Sequence, residues 1–366
     1  MFMYRLVFLI AVLFSVFSLF AAQEPLKVAV YVDDGAKGIG AVEWVRIVDE
    51  SPEMTLKLVD GASVRAGALE GQDVFVMPGG SSKAETKSLG VEGCKILKDF
   101  IWNGGGFIGT CAGCCVLMDE PKHRINLMPY ASCGSTGLTY ASFTVNATGA
   151  AKLGTTEGHH KIRYSGGPIL KATGNHIEGS SFEVWGTYGF EGATKGRHNK
   201  SMYNAPAILG GTYGKGKVFA TVAHPEYYDS TLYLVEGAFK YVSGRKVTFP
   251  KRLHRRGAIA VGFDSYNISG IRTAELVLSL TKEKDMHFVA LDANKIFRRN
   301  LDNIDVYVYT SPKAFNHKKG IDGYIKDFIA RGGKVVYCGP AADNMPKGVV
   351  RSPSDKDLVA TIRSLW

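Results

Sequence analysis

The sequence predicts an α/β fold, a parallel sheet flanked by helices, followed by a second, smaller α/β unit. Two observations lead to this prediction. Short β-branched runs alternate with helical patterns along the chain, which is typical of a parallel sheet with helices on both faces. The alternation starts again after a basic stretch at 251–256, and 366 residues are enough for two or three domains.

The predicted elements follow in chain order. In the first unit we expect strands at 26–32, 56–59, 73–77 and 218–222 and helices over 41–50, 93–103 and 231–242. Between 125 and 216 the pattern changes to short strands and turns, at 138–144, 182–188 and 207–209. In the second unit, strands at 258–263, 287–291 and 301–309 alternate with helices over 272–281 and 320–330. The predicted boundaries are 1–22, 23–248 and 249–366.

Residues 1–22 have the pattern of an export signal. Arg5 is followed by an apolar run at 6–20 and then by Ala21-Ala22, which gives a basic start, a short apolar core and small residues at the end. The run is short for a membrane span, although an uncleaved anchor is the alternative. We expect the mature chain to begin near Gln23, in the periplasm or outside the cell, with no membrane span after cleavage.

The charge is unevenly distributed. The formal net charge is +10, and residues 251–366 carry +8 of it. Such a segment can bind an anionic partner, but a solvated basic face is the commoner explanation, and we predict no nucleic-acid partner. The basic stretch at 251–256 fits an exposed linker between the two units.

Six cysteines are spread along the chain, at Cys94, Cys111, Cys114, Cys115, Cys133 and Cys338. Their spacing does not resemble the dense disulfide framework of a small secreted domain. The Cys111-x-x-Cys114 spacing suits a redox pair or a zinc site. No second pair at metal spacing follows, however, so we predict no metal.

The stretch at 104–113 has the layout of a nucleophile elbow. Glycines precede a short apolar run, the run ends at Gly109-Thr110-Cys111-Ala112-Gly113, and a helical pattern follows. Flanking glycines remove the Cβ atoms that would clash in so sharp a turn, and a thiol at the start of a helix is favoured as thiolate. A buried structural cysteine is the alternative.

Two further turns follow predicted strands. Pro78-Gly79-Gly80 leaves backbone N–H groups free to point at one spot, as in an oxyanion hole, although a plain tight turn has the same sequence. His224-Pro225-Glu226 supplies a base for a thiol and an acceptor that fixes the imidazole tautomer. The glycines at 35–40 lack the spacing of a dinucleotide site, and we predict no cofactor.

These motifs resemble those of a known superfamily. The stretches at 109–113 and 224–226 are similar to the nucleophile and His–Glu motifs of class I glutamine amidotransferases and related hydrolases, which have a flavodoxin-like sheet. With 76–80 and 164–168, they more narrowly resemble the amidotransferase-like N-terminal domain of biotin–protein ligases. The resemblance covers about 26–243, and no biotin-adenylate motif follows, so biotin attachment is not implied.

The resemblance implies roles for individual residues. Cys111, His224 and Glu226 form its catalytic triad. Backbone groups of Gly79, Gly80 and Ala112 form the oxyanion hole. Tyr164, Gly166 and Gly167 are weaker candidates for substrate binding. Arg163, Tyr164 and His159-His160 are candidates for lining a pocket only because they lie between nucleophile and base in the chain, and surface positions are an equal alternative.

The second unit contains an echo of the first. Cys338 lies as far after Gly333 as Cys111 lies after Gly106, while Thr310-Ser311-Pro312 stands where Pro-Gly-Gly is expected. We predict a degenerate, non-catalytic repeat, although simple recurrence of βα units explains the echo nearly as well.

The leading functional hypothesis is an exported thiol hydrolase that acts on a small-molecule or peptide amide, glutamine-like or γ-glutamyl. One alternative is an inactive binding or scaffold protein on the same fold, since a fold alone does not imply activity. Another is a thiol-dependent chaperone or deglycase. That class needs an acidic residue near the thiol, for which Asp33 and Asp34 are candidates by position. The oligomeric state is not predicted.

Overall fold

The computed structural model describes residues 24–120, 125–135, 140–189, 202–249, 259–264, 270–291, 298–310, 321–340 and 345–366. The predicted export signal, the basic stretch at 251–256 and part of the strand predicted at 138–144 lie outside these residues. In the described residues the strands form sheets of nine, five and two strands.

The first part of the chain supplies the strands of the nine-stranded and two-stranded sheets and the helices around them. In order these elements are β1 (Leu26–Tyr31), α1 (Gly38–Glu50), β2 (Met54–Val59), α2 (Gly61–Arg65), β3 (Val74–Met77), α3 (Ser82–Trp102), β4 (Gly106–Thr110), α4 (Ala112–Val116), β5 (Tyr130–Ser135), β6 (Tyr140–Val145), α5 (Ala147–Leu153), β7 (Gly158–Arg163), β8 (Pro168–Ala172), β9 (Ser180–Tyr188), β10 (Pro206–Tyr213), β11 (Gly216–Thr221) and α6 (Leu232–Ser243). Short 3₁₀ turns at Pro225–Tyr227 and Asp229–Thr231 join β11 to α6.

The nine-stranded sheet is mixed, which corrects the prediction of a parallel sheet. Its order is β2-β1-β3-β4-β11-β10-β9-β6-β7. The five strands from β2 to β11 pair in parallel, and the four remaining pairings are antiparallel. The orientation changes at β11 because a tight turn at 214–215 joins it to β10, and so short a connection can only make an antiparallel hairpin.

Helices pack on both faces of the parallel half, as predicted. Side chains alternate between the faces of a strand. On one face the Trp44 indole of α1 donates a hydrogen bond of 3.1 Å to the Thr110 hydroxyl. On the other face Tyr31, Phe75 and Phe107 form a chain of ring contacts, and the Tyr31 hydroxyl donates to the Glu85 carbonyl of α3.

Helix α3 begins earlier than the sequence indicated. The prediction started at residue 93, whereas the structure has helix on both sides of Gly90, whose φ of 67° breaks the regular geometry. Glycine reaches this left-handed region at little steric cost, so the helical pattern is interrupted there without ending the element.

The second part of the chain forms a five-stranded sheet in which every pairing is parallel. Its elements are β12 (Ile259–Asp264), α7 (Ile271–Thr281), β13 (Met286–Leu291), α8 (Arg298–Leu301), β14 (Val306–Tyr309), α9 (Ile321–Ala330), β15 (Lys334–Tyr337), β16 (Val349–Arg351) and α10 (Leu358–Ser364). The strand order β13-β12-β14-β15-β16 follows the same scheme as β2-β1-β3-β4-β11.

The two parallel arrangements also share a local contact. The Asp73 carboxylate accepts the Lys27 N–H at 2.8 Å before β3, and the Asp305 carboxylate accepts the Ala260 N–H at 2.7 Å before β14. When the two sheets are aligned so that Asp73 matches Asp305, the strand pairings match Gly106 to Lys334. Cys338 then matches Thr110 rather than Cys111. These likenesses support an internal repeat, which stays a prediction.

Candidate active site

Three parallel strands bring the predicted motifs to one edge of the sheet. β3, β4 and β11 are neighbours, and their carboxyl ends lie side by side. Pro78-Gly79-Gly80 follows β3, Cys111 follows β4, and the turn that begins at His224 comes shortly after β11. Ligands of α/β sheets bind at such an edge, so the topology supplies a candidate active site.

Cys111 occupies a strained turn. Its φ of 52° and ψ of −104° are uncommon for a residue with a side chain, and such strain is characteristic of functional sites. The Cys111 N–H donates to the Thr221 carbonyl at 2.8 Å, and the Cys115 N–H donates to the Cys111 carbonyl at 3.1 Å. Gly113 fits because a Cβ there would lie 2.1 Å from the Met77 carbonyl oxygen.

His224 and Glu226 form a buried pair. His224 Nδ1 lies 2.8 Å from Glu226 Oε1, and the two residues are 4% and 0% exposed. The His224 N–H donates to the Arg163 carbonyl at 2.8 Å, which fixes the backbone of the histidine. Proline between the two functional residues restricts the turn that joins them.

The charges around His224 favour its protonated form. Burial alone lowers the pKa of an imidazole, but the Glu226 carboxylate and the hydrogen-bonded sulfur of Cys111 outweigh that effect and raise the pKa of His224 to about 10. The imidazole is therefore charged at neutral pH and has a proton available for a leaving group.

Gly79 lies between the thiol and the imidazole. A Cβ at Gly79 would lie 2.5 Å from His224 Cε1 and 3.1 Å from Cys111 Cβ. The Lys37 N–H donates to the Gly79 carbonyl at 3.0 Å, and the Ser81 N–H donates to the Gly35 carbonyl at 2.9 Å, so the Pro-Gly-Gly turn is held from both sides. The close approach of Cys111 and His224 depends on a glycine here.

If the protein has the amide hydrolase activity predicted from the sequence, replacing Gly79 by alanine should lower that activity by about a hundredfold, the cost of misplacing reacting groups by about 1 Å. The added methyl group would displace His224 or Cys111. Hydrolysis of a chromogenic γ-glutamyl anilide checks this expectation. Gly323→Ala is the matched control, because that exposed helical glycine has open space around its Cβ position. Equal activity in the two variants would show that the close contact is unimportant.

The predicted oxyanion groups lie at the start of α4 and in the Pro-Gly-Gly turn. Ala112 is the first residue of α4, where a backbone N–H has no acceptor within the helix. Gly80 has a φ of 152°, and a Cβ there would lie 1.7 Å from the Gly35 carbonyl oxygen, so only glycine fits. Ala112 directly follows Cys111, and Gly80 directly follows Gly79, whose Cβ position lies 3.1 Å from Cys111 Cβ. Their role as an oxyanion hole stays a prediction.

The weaker substrate-binding candidates have different surroundings. Tyr164 is fully buried, and its hydroxyl donates to the Gly167 carbonyl. A Cβ at Gly167 would lie 2.2 Å from the Val222 carbonyl oxygen, whereas Gly166 is exposed. The Tyr164 ring packs on Tyr188, with ring centroids 5.9 Å apart. These contacts give Tyr164 a packing role, and substrate binding by the three residues stays a prediction.

The remaining candidates have partners other than the thiol. Burial opposes ionisation of Asp33, but hydrogen bonds from Ser88 and from the Gly61 N–H outweigh it and lower the pKa of Asp33. The Arg163 guanidinium lies over the Tyr227 ring, 5.7 Å from its centroid. His160 hydrogen-bonds the Tyr233 hydroxyl at 2.5 Å.

Two residues beside the His224–Glu226 pair were not predicted from the sequence. A Cβ at Gly40 would lie 2.6 Å from Glu226 Oε1 and 3.1 Å from His224 Nδ1, so the first turn of α1 contacts the pair directly. The Tyr227 ring centroid lies 4.9 Å from that of His224. Gly40 belongs to a glycine-rich loop considered only as a dinucleotide site, and Tyr227 directly follows the His-Pro-Glu motif.

Cysteine and metal chemistry can be described for the same residues. All six cysteines fall within the described ranges, and none of them forms a disulfide. In the described residues no group of three or more histidine, cysteine or acidic side chains is arranged to hold a metal ion. No helix among them has the length and apolar character that a membrane crossing requires.

Comparison with known proteins gives distant likenesses. No family model matches the sequence, and no curated protein matches it. A ThuA-like protein from Parabacteroides merdae has 13% identity and a TM-score of 0.40, over 63% of this chain and 96% of its own. A glutamine amidotransferase from Thermotoga maritima has 14% identity and a TM-score of 0.37, over 60% and 84%.

A β-galactosidase from Bacillus circulans sp. alkalophilus has 14% identity and a TM-score of 0.39, over 63% of this chain but only 33% of its own. Likenesses at these scores are too distant to assign a family or an activity. The narrower resemblance to biotin–protein ligases stays a prediction.

Proposed function

We propose that the protein is an exported, thiol-dependent hydrolase of a glutamine-like or γ-glutamyl amide. The observation that carries the proposal is the strained Cys111 turn beside a buried His224–Glu226 pair, with Gly79 against both. A nucleophile, a base and a group that orients the base are the parts that covalent catalysis of acyl transfer needs. Export rests on the pattern at residues 1–22.

The first half of the reaction forms a thioester. Cys111 attacks the amide carbonyl carbon as a thiolate whose proton is held by His224, and the Gly80 and Ala112 N–H groups stabilise the negative oxygen. When the tetrahedral intermediate collapses, the C–N bond breaks and His224 gives its proton to the leaving amine. His224 has this proton available because its raised pKa keeps the imidazole protonated at neutral pH.

The second half hydrolyses the thioester. Neutral His224 takes a proton from water, the hydroxide attacks the thioester carbonyl, and the Cys111 thiolate leaves. Glu226 holds Nδ1 throughout, which fixes the imidazole tautomer and stabilises the imidazolium that forms. The chain's own side chains account for every proton, so the proposal needs no cofactor.

A covalent probe tests the proposal. We expect a chloroacetamide analogue of glutamine to add once to the purified mature protein, at Cys111, and intact-mass spectrometry to show no adduct in Cys111→Ser. The matched control is Cys133→Ser, which removes another free, half-buried thiol and should leave labelling unchanged. The wild type should also release nitroaniline from a γ-glutamyl anilide.

An unreactive Cys111 in the folded protein would contradict the hydrolase proposal. The alternative, a binding or scaffold protein on this fold, would then be favoured. Cys114 and Cys115 beside the thiol and the basic character of residues 251–366 are its basis.

A further inference from the structure

Helix α1 has almost no exposed face. Eight of its residues are buried, on several sides of the helix: Gly40, Ala41, Val42, Glu43, Trp44, Val45, Ile47 and Val48. A helix buried all round has packing partners on more than one side. Here the partners belong to the two different sheets.

One side of α1 faces the nine-stranded sheet. Trp44 packs against Phe239 of α6 at a ring-centroid distance of 6.1 Å, in addition to its hydrogen bond to Thr110. Thr110 directly precedes Cys111 in the chain. At the amino end of the helix, Gly40 contacts Glu226 and His224 as described above. Helix α1 therefore contacts both the residue that precedes Cys111 and the His224–Glu226 pair.

The other side of α1 belongs to the core of the five-stranded sheet. Val42 is fully buried in a cluster whose other buried members come from the second part of the chain, among them Val261 and Phe263. The Arg46 guanidinium lies over Phe288 of β13, 5.5 Å from the ring centroid. Asp49 pairs with Lys282 at 3.5 Å, and the Gly270 N–H donates to the Val32 carbonyl at 2.6 Å.

We propose that the second unit holds the His224–Glu226 pair in place through α1, so that Val42 and Arg46 are positioning residues for the site. Val42 lies two residues after Gly40. A displacement of Val42 should reach Gly40, because a densely packed core has few voids that could absorb it. The inference gives the second unit a role without catalysis of its own, and it rests on the proposed function only for its effect on turnover.

The test uses the full mature chain and the NMR titration of His224, assigned among the nine histidines by its loss in His224→Gln. We expect Val42→Ala to lower the titration midpoint of His224 by about half a pH unit, because Glu226 and Cys111 no longer hold their distances to the imidazole. The control is Val335→Ala, which deletes the same methyl groups at a buried position of the second unit, in a cluster that contains no residue of α1.

A milder variant covers the case in which Val42→Ala fails to fold. Arg46→Gln removes the contact with Phe288 together with the ion pairs that Arg46 forms with Glu43 and Glu50 of α1, and should lower the midpoint in the same direction. Its control, Arg363→Gln, removes an exposed arginine that pairs with Asp285 and Glu283 in the second unit.

The possible outcomes separate the two proposals. If the α1 variants and their controls leave the His224 midpoint unchanged, the positioning role is wrong, whatever their melting temperatures. If the midpoint falls only in the α1 variants while no variant hydrolyses an amide, positioning is supported and the hydrolase proposal fails. If the controls lower it equally, the effect is general destabilisation and the proposal is overturned.

Discussion

Replacing His224 by glutamine is expected to lower amide hydrolysis by about a million-fold, and Cys111→Ala should have a similar effect. In a Ser-His-Asp protease, losing either the nucleophile or its base costs about as much as losing the whole triad. The same reasoning applies here. Without His224, nothing protonates the leaving amine, and without Cys111, His224 has no nucleophile to assist. Initial rates on a γ-glutamyl anilide measure both variants.

The double variant gives the sharper result. If Cys111 and His224 act as one unit, combining the substitutions should lower the rate no further than either one alone. His176→Gln is the matched control, because His176 is exposed and lies outside the site. Rate losses that multiply in the double variant would mean that the two residues act in separate steps, which contradicts the proposed mechanism.

The meeting of the three motifs at one edge of the sheet was predictable from the sequence because each motif follows a parallel strand. Pro-Gly-Gly and Gly-x-Cys-x-Gly directly follow a buried β-branched run, and His-Pro-Glu comes shortly after one. A turn in such a place lies at the carboxyl edge of the sheet. The structure brings Gly79, Cys111 and His224 into contact at that edge. Local turn chemistry and strand direction were sufficient for this part of the prediction.

The rest depends on contacts that a sequence pattern does not encode. The strands at 140–213 are short, and their pairing partners are set by hairpin geometry and by burial against the existing sheet, so the antiparallel half was not predicted. Gly40 lies far from Glu226 in the chain, and only the packing of α1 brings them together. Strand register matches Cys338 to Thr110. Counting residues after the preceding glycines, which is all that the sequence allows, matches Cys338 to Cys111 instead, one position away.

Replacing Glu226 by glutamine is expected to lower hydrolysis by about ten-thousand-fold, as the equivalent change does in the Ser-His-Asp triad. Glutamine keeps the size of the side chain but can present an N–H to Nδ1, which favours the wrong imidazole tautomer. It also removes the negative charge that helps to raise the pKa of His224 to about 10. Glu178→Gln, at an exposed position, is the matched control.

The pH dependence distinguishes this effect from a general loss of structure. The folded protein binds the His224 proton more tightly than the unfolded chain does, so this contribution to stability is complete below about pH 6.5 and is lost as the pH rises through about 10. In Glu226→Gln the alkaline fall of both kcat/KM and melting temperature should move to lower pH, because the imidazole loses its proton earlier. A variant whose profile keeps the wild-type shape at reduced height would show that Glu226 does not control the charge of His224, and the assigned role would be wrong.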